Sequence, residues 1–344
     1  MRVLMLPSMH PYVAKLSYGD KITIINPDSD YFSLPDFGVE FLQQTHDPNS
    51  YDVVHIHFSF DKVNIDNLEN VLLYFKQLAK PVVWTCHSKD SQRVFNYCNG
   101  AYQKLLFQYS DKIITLTKGC KKWIESNWGK HHNAIDVIAH GLIAFPEDVQ
   151  RITQGMTKKK DRFTILYGEF RENKEHIHSI TDFLKTDFLA DCELHLIYKP
   201  QTTFQILNPN EWKMFINVSN NSRCSKFIKS WITNEELIKE FYSSHCIILP
   251  YLWGTHSGQI ELAKDCGCYV VAPNVGFYTE QWEKTILWGE HCENLTYTDA
   301  LKEAFFSQSL TPIGEERIQE LKIIIQQHLN IYHTLLKNNN GKNG

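Results

Sequence analysis

Residues 51–86 read YDVVHIHFSF DKVNIDNLEN VLLYFKQLAK PVVWTC and decide the fold class. The stretch opens on one apolar run, Val53–His57, and closes on another, Val82–Thr85. Between them Leu68, Val71, Leu72, Phe75 and Leu78 recur at the spacing of one helix face. Strands that are apolar without alternation are buried on both sides. A strand, a helix and a second such strand make a parallel sheet with helices on both faces. Working outward, the runs Val3–Leu6 and Lys21–Ile25 precede this unit, and Lys112–Leu116 and Asp136–Ala139 follow it. The series predicts a doubly wound parallel sheet.

Around residue 150 the texture changes. Pro146-Glu-Asp and Met156-Thr-Lys-Lys-Lys-Asp161 are polar and lysine-rich and read as a linker. A second series then starts afresh with Phe163–Tyr167, Glu193–Tyr198, Ser225–Ile228, Cys246–Pro250 and Tyr269–Ala272. The chain has 344 residues, enough for two domains of about 150 residues each. The expected architecture is α/β, with two Rossmann-like doubly wound parallel-sheet domains, residues 1–150 and 162–312, facing a cleft. After Thr311-Pro312, residues 315–337 carry apolar side chains at Ile318, Leu321, Ile325, Leu329, Tyr332 and Leu336. They predict one amphipathic helix packing at the domain junction, against the first domain. Residues 338–344 read as a disordered tail.

Composition narrows the function classes. Hydrophobic residues make up 43% and charged residues 22%, and the net charge of -4 gives no global electrostatic case for nucleic acid. The nine cysteines are odd in number and contain no Cys-x-x-Cys pair. They read as reduced thiols of a cytoplasmic protein, and Cys266-Gly-Cys268 lacks the further ligands of a zinc site. Met1–Val13 reads as a first strand rather than a signal peptide. No window approaches the roughly 20 apolar residues of a membrane span. Peripheral contact with a membrane surface stays open.

Two segments carry chemistry. In Leu249-Pro-Tyr-Leu-Trp-Gly-Thr-His-Ser-Gly-Gln-Ile-Glu-Leu-Ala263 an apolar strand turns through Thr255, His256, Ser257 and Gly258 into a helix. Backbone N–H groups at a helix start, with glycine permitting close approach, suit an anion. The hydroxyls of Thr255 and Ser257 suit phosphate oxygens, and an ordinary Ser N-cap is the plainer alternative. In Ile165-Leu-Tyr-Gly-Glu-Phe-Arg-Glu-Asn-Lys-Glu175 a strand ends at Gly168, and the cations Arg171 and Lys174 follow in its loop. Two cations three residues apart suit a diphosphate.

With these segments in view, the chain resembles the retaining glycosyltransferases of family 4, which have the GT-B architecture. Tyr51-Asp-Val-Val-His-Ile-His57 looks like that family's Asp-Val-Val-His-x-His strand, and Val82-Val-Trp-Thr-Cys-His87 its Thr-x-His turn. Ser110–Thr117 and Val137–Gly141 resemble the last strands of its acceptor domain. Tyr167–Lys174 is close to the Gly-x-x-Arg-x-x-Lys donor loop of one branch, and Trp231–Leu237 resembles the loop facing the nucleobase. Val270–Gly276, followed by Glu280, completes the pattern.

The resemblance implies a metal-independent, retaining hexosyltransferase that needs no cofactor. Its donor would be a nucleoside diphosphate sugar of UDP or GDP type. The acceptor would be a hydroxyl on a carbohydrate, a lipid-linked molecule or a small molecule, in glycan, polysaccharide or glycoconjugate biosynthesis. It assigns Arg171 and Lys174 to the leaving diphosphate and His87 to the transferred sugar. Gly168, Thr255, His256, Ser257 and Gly258 would bind the donor, with Ser257 and Gly258 on its distal phosphate, and Trp231 and Ile232 would face the base.

The family's Glu-x7-Glu pair falls on Gly254 and Leu262, so both carboxylates are missing. Glu261, one residue early, is the candidate for the ribose. Pro7-Ser-Met-His-Pro11 stands where the family has Gly-Gly. Asp28-Ser-Asp30 sits in a turn-forming run and reads as a turn rather than a metal motif. His131-His132 and the His55/His57 pair lack carboxylates at zinc spacing. Two alternatives remain beside the transferase: a catalytically silent sugar-nucleotide-binding partner subunit, and a sugar-nucleotide epimerase of the same architecture.

Overall fold

A computed structural model describes residues 1–25, 37–58, 60, 63–87, 100–129, 134–200 and 203–340. Contacts gather the chain into two units, Met1–Gly141 with Gln319–Gly344, and Leu142–Ile318.

The first unit holds a six-stranded sheet, β1 (Arg2–Leu6), β2 (Thr23–Ile25), β3 (Val53–His57), β4 (Val82–Cys86), β5 (Lys112–Thr115) and β6 (Asp136–Val137). Its order is β2-β1-β3-β4-β5-β6 and every pairing is parallel. All five residues of β3 and all five of β4 are buried, as continuous apolar runs require. The helix between them is Ile65–Gln77, opened by Asn64, whose side chain accepts from the N–H groups of Asp66 and Asn67. It buries Leu68, Val71, Leu72 and Phe75, four of the five positions its spacing predicts, while Leu78 caps its end.

The second unit repeats the plan. Its strands are β7 (Arg162–Gly168), β8 (Glu193–Tyr198), β9 (Cys224–Ile228), β10 (Cys246–Ile248), β11 (Tyr269–Pro273) and β12 (Thr285–Trp288), ordered β12-β11-β10-β7-β8-β9 and all parallel. Two apolar layers cover its faces, one around Phe163, Phe183, Leu196 and Phe215, the other around Phe241, Ile247, Ile260 and Val270.

Three expectations are corrected. The presumed linker is helical over Pro146–Thr153 and buries Val149 in the second layer beside Ile238 and Phe241, so residues 142–150 belong to the second unit. Strand β12 was not anticipated. The final helix runs over Glu315–Asn340 rather than stopping at 337, and from Gln319 onward it gathers with the first unit. Asp28-Ser-Asp30, Cys98, His131-His132 and residues 341–344 lie outside the described residues. Among the described residues no helix is long and apolar enough to cross a membrane.

Candidate functional site

In the second unit the two chemistry-bearing segments come together at the carboxyl ends of β7 and β10. Gly168 closes β7, and the loop after it hydrogen-bonds to the loop after β10. The Leu252 N–H donates to Asn173 O at 2.8 Å, and the Glu175 N–H to Pro250 O at 2.7 Å. Lys174 is 8% exposed and its amine donates to the Tyr167 carbonyl, with Tyr251's ring 5.8 Å below. Burial, reinforced by the charge of Arg171, pushes this amine down to about 7. Arg171 is half-buried and its guanidinium lies 3.3 Å from Glu169. Glu169 also faces Lys199 at 3.8 Å, and Lys199 sits 5.8 Å over the ring of Trp231, which is 76% exposed. Ile232 beside it is half-buried. Lys199 was missed in the sequence because it follows β8 without a glycine or a second cation to mark it.

The turn after β10 builds a helix start. Gly258–Cys266 is helical and Ser257 is its N-cap, with Oγ accepting from the Gln259 N–H at 3.3 Å. The Ile260 N–H donates to Ser257 O at 3.1 Å, while the Gly258 N–H meets no acceptor among the described residues. That donor stands at the positive end of the helix dipole. Thr255 is buried, its carbonyl accepting from the Phe277 N–H at 2.9 Å, and His256 is half-buried. Gln259 ties the helix to the end of β7, donating to Leu166 O at 3.1 Å.

Glu261 does not fit the ribose role. It is 2% exposed, and its carboxylate takes a hydrogen bond from Arg317 at 2.8 Å and another from Gln281 at 3.1 Å. Arg317, 1% exposed, also donates to Asp265 at 2.7 Å, and Asp265 accepts the N–H groups of Ile143 and Ala144. A carboxylate committed to a buried guanidinium is structural, and removing one partner of such a pair costs about 3–5 kcal/mol. Neither Arg317 nor Gln281 stands near the turn in sequence, which is why the spacing there gave no sign of them.

His87 belongs to the first unit, directly after β4. It is 4% exposed and stacks on Phe58 at 4.1 Å, with Tyr12 meeting its ring edge-on at 4.6 Å. Around it cluster His57, His55 and Tyr12, all fully buried, and the His55 ring lies 4.1 Å from that of His57. His55 bonds Tyr332 at 2.7 Å and Thr85 at 2.8 Å, so the histidines of β3 are linked to the final helix and to β4. Among the described residues no group of three or more His, Cys, Asp or Glu side chains is placed to hold a metal ion. A cleft lined by Ser8, Met9, Ser17 and Asp20 opens beside the end of β1.

Residues 24–143 match the family described as Glycosyltransferase Family 4. The whole chain is similar in fold to solved GT-B glycosyltransferases. One is HepE from Anabaena in complex with UDP, with a TM-score of 0.58, 14% identity, 99% of this chain and 98% of that one covered. Another is sucrose-phosphate synthase from Thermosynechococcus elongatus, at a TM-score of 0.61 and 16% identity over 87% of this chain and 76% of that one. A third is α,α-trehalose 6-phosphate synthase from Burkholderia multivorans, at a TM-score of 0.57 and 11% identity over 98% and 83%. No curated protein matches the chain by sequence. Residues 24–143 are thus similar to family 4 glycosyltransferases, and the chain as a whole has a fold similar to that of these solved structures.

Proposed function

We propose that the protein is a retaining, metal-independent glycosyltransferase whose second unit binds a nucleoside diphosphate sugar at the carboxyl ends of β7 and β10. The observation that carries this is the meeting of Arg171, Lys174 and the Ser257–Gly258 turn around one patch of strand ends. Cations and a backbone N–H held before reaction stabilise charge that develops on a leaving diphosphate. A divalent metal has no remaining task there. Trp231 offers an exposed ring for a base to stack on, with Lys199 behind it. The neighbour bound to UDP favours a uridine nucleotide.

The chemistry follows from this arrangement. The bond from the anomeric carbon to the diphosphate oxygen breaks, and a bond to the acceptor oxygen forms on the same face. The acceptor's proton passes to the departing phosphate oxygen, so no enzymic carboxylate base is required. That is consistent with a site whose Glu-x7-Glu positions are Gly254 and Leu262. His87 then positions the sugar or acceptor from the first unit rather than serving as an essential base. The acceptor is a hydroxyl of a carbohydrate, a lipid-linked molecule or a small molecule, and the cleft beside β1 is its candidate place. We take the working compartment to be the cytoplasm.

Isothermal titration with UDP, GDP and their sugar conjugates in EDTA tests the donor site. Binding of one nucleotide series without metal is expected, and no binding by any of them would remove the proposal. Release of nucleoside diphosphate from the bound sugar nucleotide separates the transferase from a silent partner subunit. Recovery of the epimerised sugar nucleotide would favour an epimerase instead.

A further inference from the structure

The geometry points to Gln281 as a positioning residue for diphosphate binding, acting through the backbone of Ser257; this rests on the donor site proposed above. Gln281 ends the short helix Tyr278–Gln281 and reaches back to the turn. The Ser257 N–H donates to its Oε1 at 2.8 Å, and its Nε2 donates to Ser257 O at 3.2 Å and to Glu261 Oε1 at 3.1 Å. A carboxamide is the side chain that offers an acceptor and a two-hydrogen donor at once, as these three bonds need. Arg317 holds the other carboxylate oxygen of Glu261 at 2.8 Å, so the anchor behind Gln281 is itself fixed.

The consequence lies in one peptide plane. Ser257 C=O and Gly258 N–H belong to the same planar trans unit and point in opposite directions. Holding the carbonyl therefore aims the N–H, and this N–H is the helix-start donor that meets no acceptor among the described residues. The helix carrying Gln281 is seated closely. A Cβ at Gly254 would come within 2.7 Å of the Tyr278 hydroxyl, and one at Gly276 within 2.8 Å of its ring. With no carboxylate at position 254 or 262, the turn takes its support from this helix instead.

The test compares UDP and GDP with their nucleosides, since only the nucleotides engage the turn. Wild type should bind one diphosphate much more tightly than its nucleoside. Gln281→Met keeps the length and loses the hydrogen bonds. It should weaken the diphosphate about tenfold while nucleoside affinity stays within about twofold. Gln281→Glu keeps the acceptor for the Ser257 N–H but sets a second carboxylate against Glu261. Its loss, taken as a ratio to wild type at each pH, should exceed tenfold at pH 8 and shrink toward pH 5.5. A protonated carboxyl again offers one donor and one acceptor. A merely structural role would lower nucleoside and diphosphate affinity together and show no recovery in acid, and either result overturns the inference. Should Gln281→Met fail to fold, the Gln281→Glu pH series decides alone. If wild type gains from the diphosphate and both variants match it, only the positioning role falls. If wild type binds neither nucleotide, or binds the nucleoside as tightly as the diphosphate, the donor site falls and the positioning role with it.

Discussion

The two units share one plan, six parallel strands each, yet they fill their strand ends with opposite chemistry. In the first unit β3 carries His55 and His57, and His87 follows β4, packed on Tyr12, Phe58 and His328 with no carboxylate in the ring contacts. In the second unit the ends of β7 and β10 carry Lys174, Arg171 and a helix start. Two of its histidines elsewhere keep carboxylate company, His176 at 2.7 Å from Glu211 and His195 at 2.9 Å from Glu240. Burial lowers the affinity of His55, His57 and His328 for a proton, so these imidazoles offer hydrogen bonds and ring faces without charge. Sheet topology sets where a site forms, and the loop side chains decide what it takes. On the proposed function, neutral rings suit a polyol and the cationic turn suits a diphosphate.

The comparison breaks first in acid. Burial lowers His55 and His57 well below 6.5 and His328 to about 4. Among the described residues the neighbours that face them are Thr85, Tyr332, Tyr12, His10, His87, Met5, the Ile324 carbonyl and the buried Lys15, none of them a carboxylate. An imidazole whose folded pKa lies below its unfolded value takes its proton more readily when unfolded. Its stabilisation is therefore complete above pH 6.5 and shrinks as pH falls toward 4. The loss is about 1.4 kcal/mol per histidine for each pH unit in that window. In the second unit His176 and His245 are also lowered by burial, but Glu211 and the Ala304 carbonyl oppose it. Glu175, Glu193 and Glu240 lie below their usual 4.5, so the stability they lend is lost only at lower pH. Hydrogen exchange at pH 5.5 against pH 7.5 should show Val53–His57 losing protection well before Glu193–Tyr198. Equal loss in both strands would end the contrast.

The second expected effect tests the cationic end. Lys174→Ala should slow release of nucleoside diphosphate from the donor by about two orders of magnitude, roughly 3 kcal/mol of transition-state stabilisation. Because burial leaves the Lys174 amine at about 7, its charge fades as pH rises through that value. Wild-type diphosphate affinity should therefore decline between pH 7 and 9, and Lys174→Ala should show no such decline. An unchanged rate in the variant would mean that the loop after β7 serves another purpose.

Much of this was legible in the chain. Val53–His57 and Glu193–Tyr198 are strands with the bounds their apolar runs predict, because continuous burial on both faces leaves a local signature. Ser257 caps its helix where the Thr-x-Ser-Gly turn places the cap. What escaped is long-range. Thr285–Trp288 is short and edge-placed, with only its first two residues buried. Pro146–Thr153 looked like a linker because its polar face dominates, although Val149 and Thr153 are buried. Glu261 reads as a ligand in one dimension, and only the fold reveals Arg317, 56 residues away, closing on it. Gln281 escaped for the same reason, since its three bonds all return to another segment.

The smallest expected effect on the donor is the most discriminating. His87 stacks on Phe58 in the first unit, whereas every residue assigned to the diphosphate lies in the second. If the histidine cluster positions sugar or acceptor and the cationic turn binds the nucleotide, their contributions divide cleanly. His87→Asn keeps a side chain that can hydrogen-bond but removes the ring. Its nucleoside diphosphate affinity should stay within about twofold of wild type, while transfer slows roughly tenfold, the cost of a less well oriented attack. An essential base would instead lose about 10²–10⁴-fold in rate. Titration with the nucleotide and a rate measurement on the intact sugar nucleotide, run on the same preparation, separate the cases. Loss of nucleotide affinity would mean that the first unit shares the diphosphate site. A wild-type rate would leave His87 as packing for Phe58 and Tyr12 alone. The product's anomeric configuration, read by NMR, completes the test: an α-linked product from an α-linked donor fits transfer without an enzymic base, and a β-linked product refutes retention.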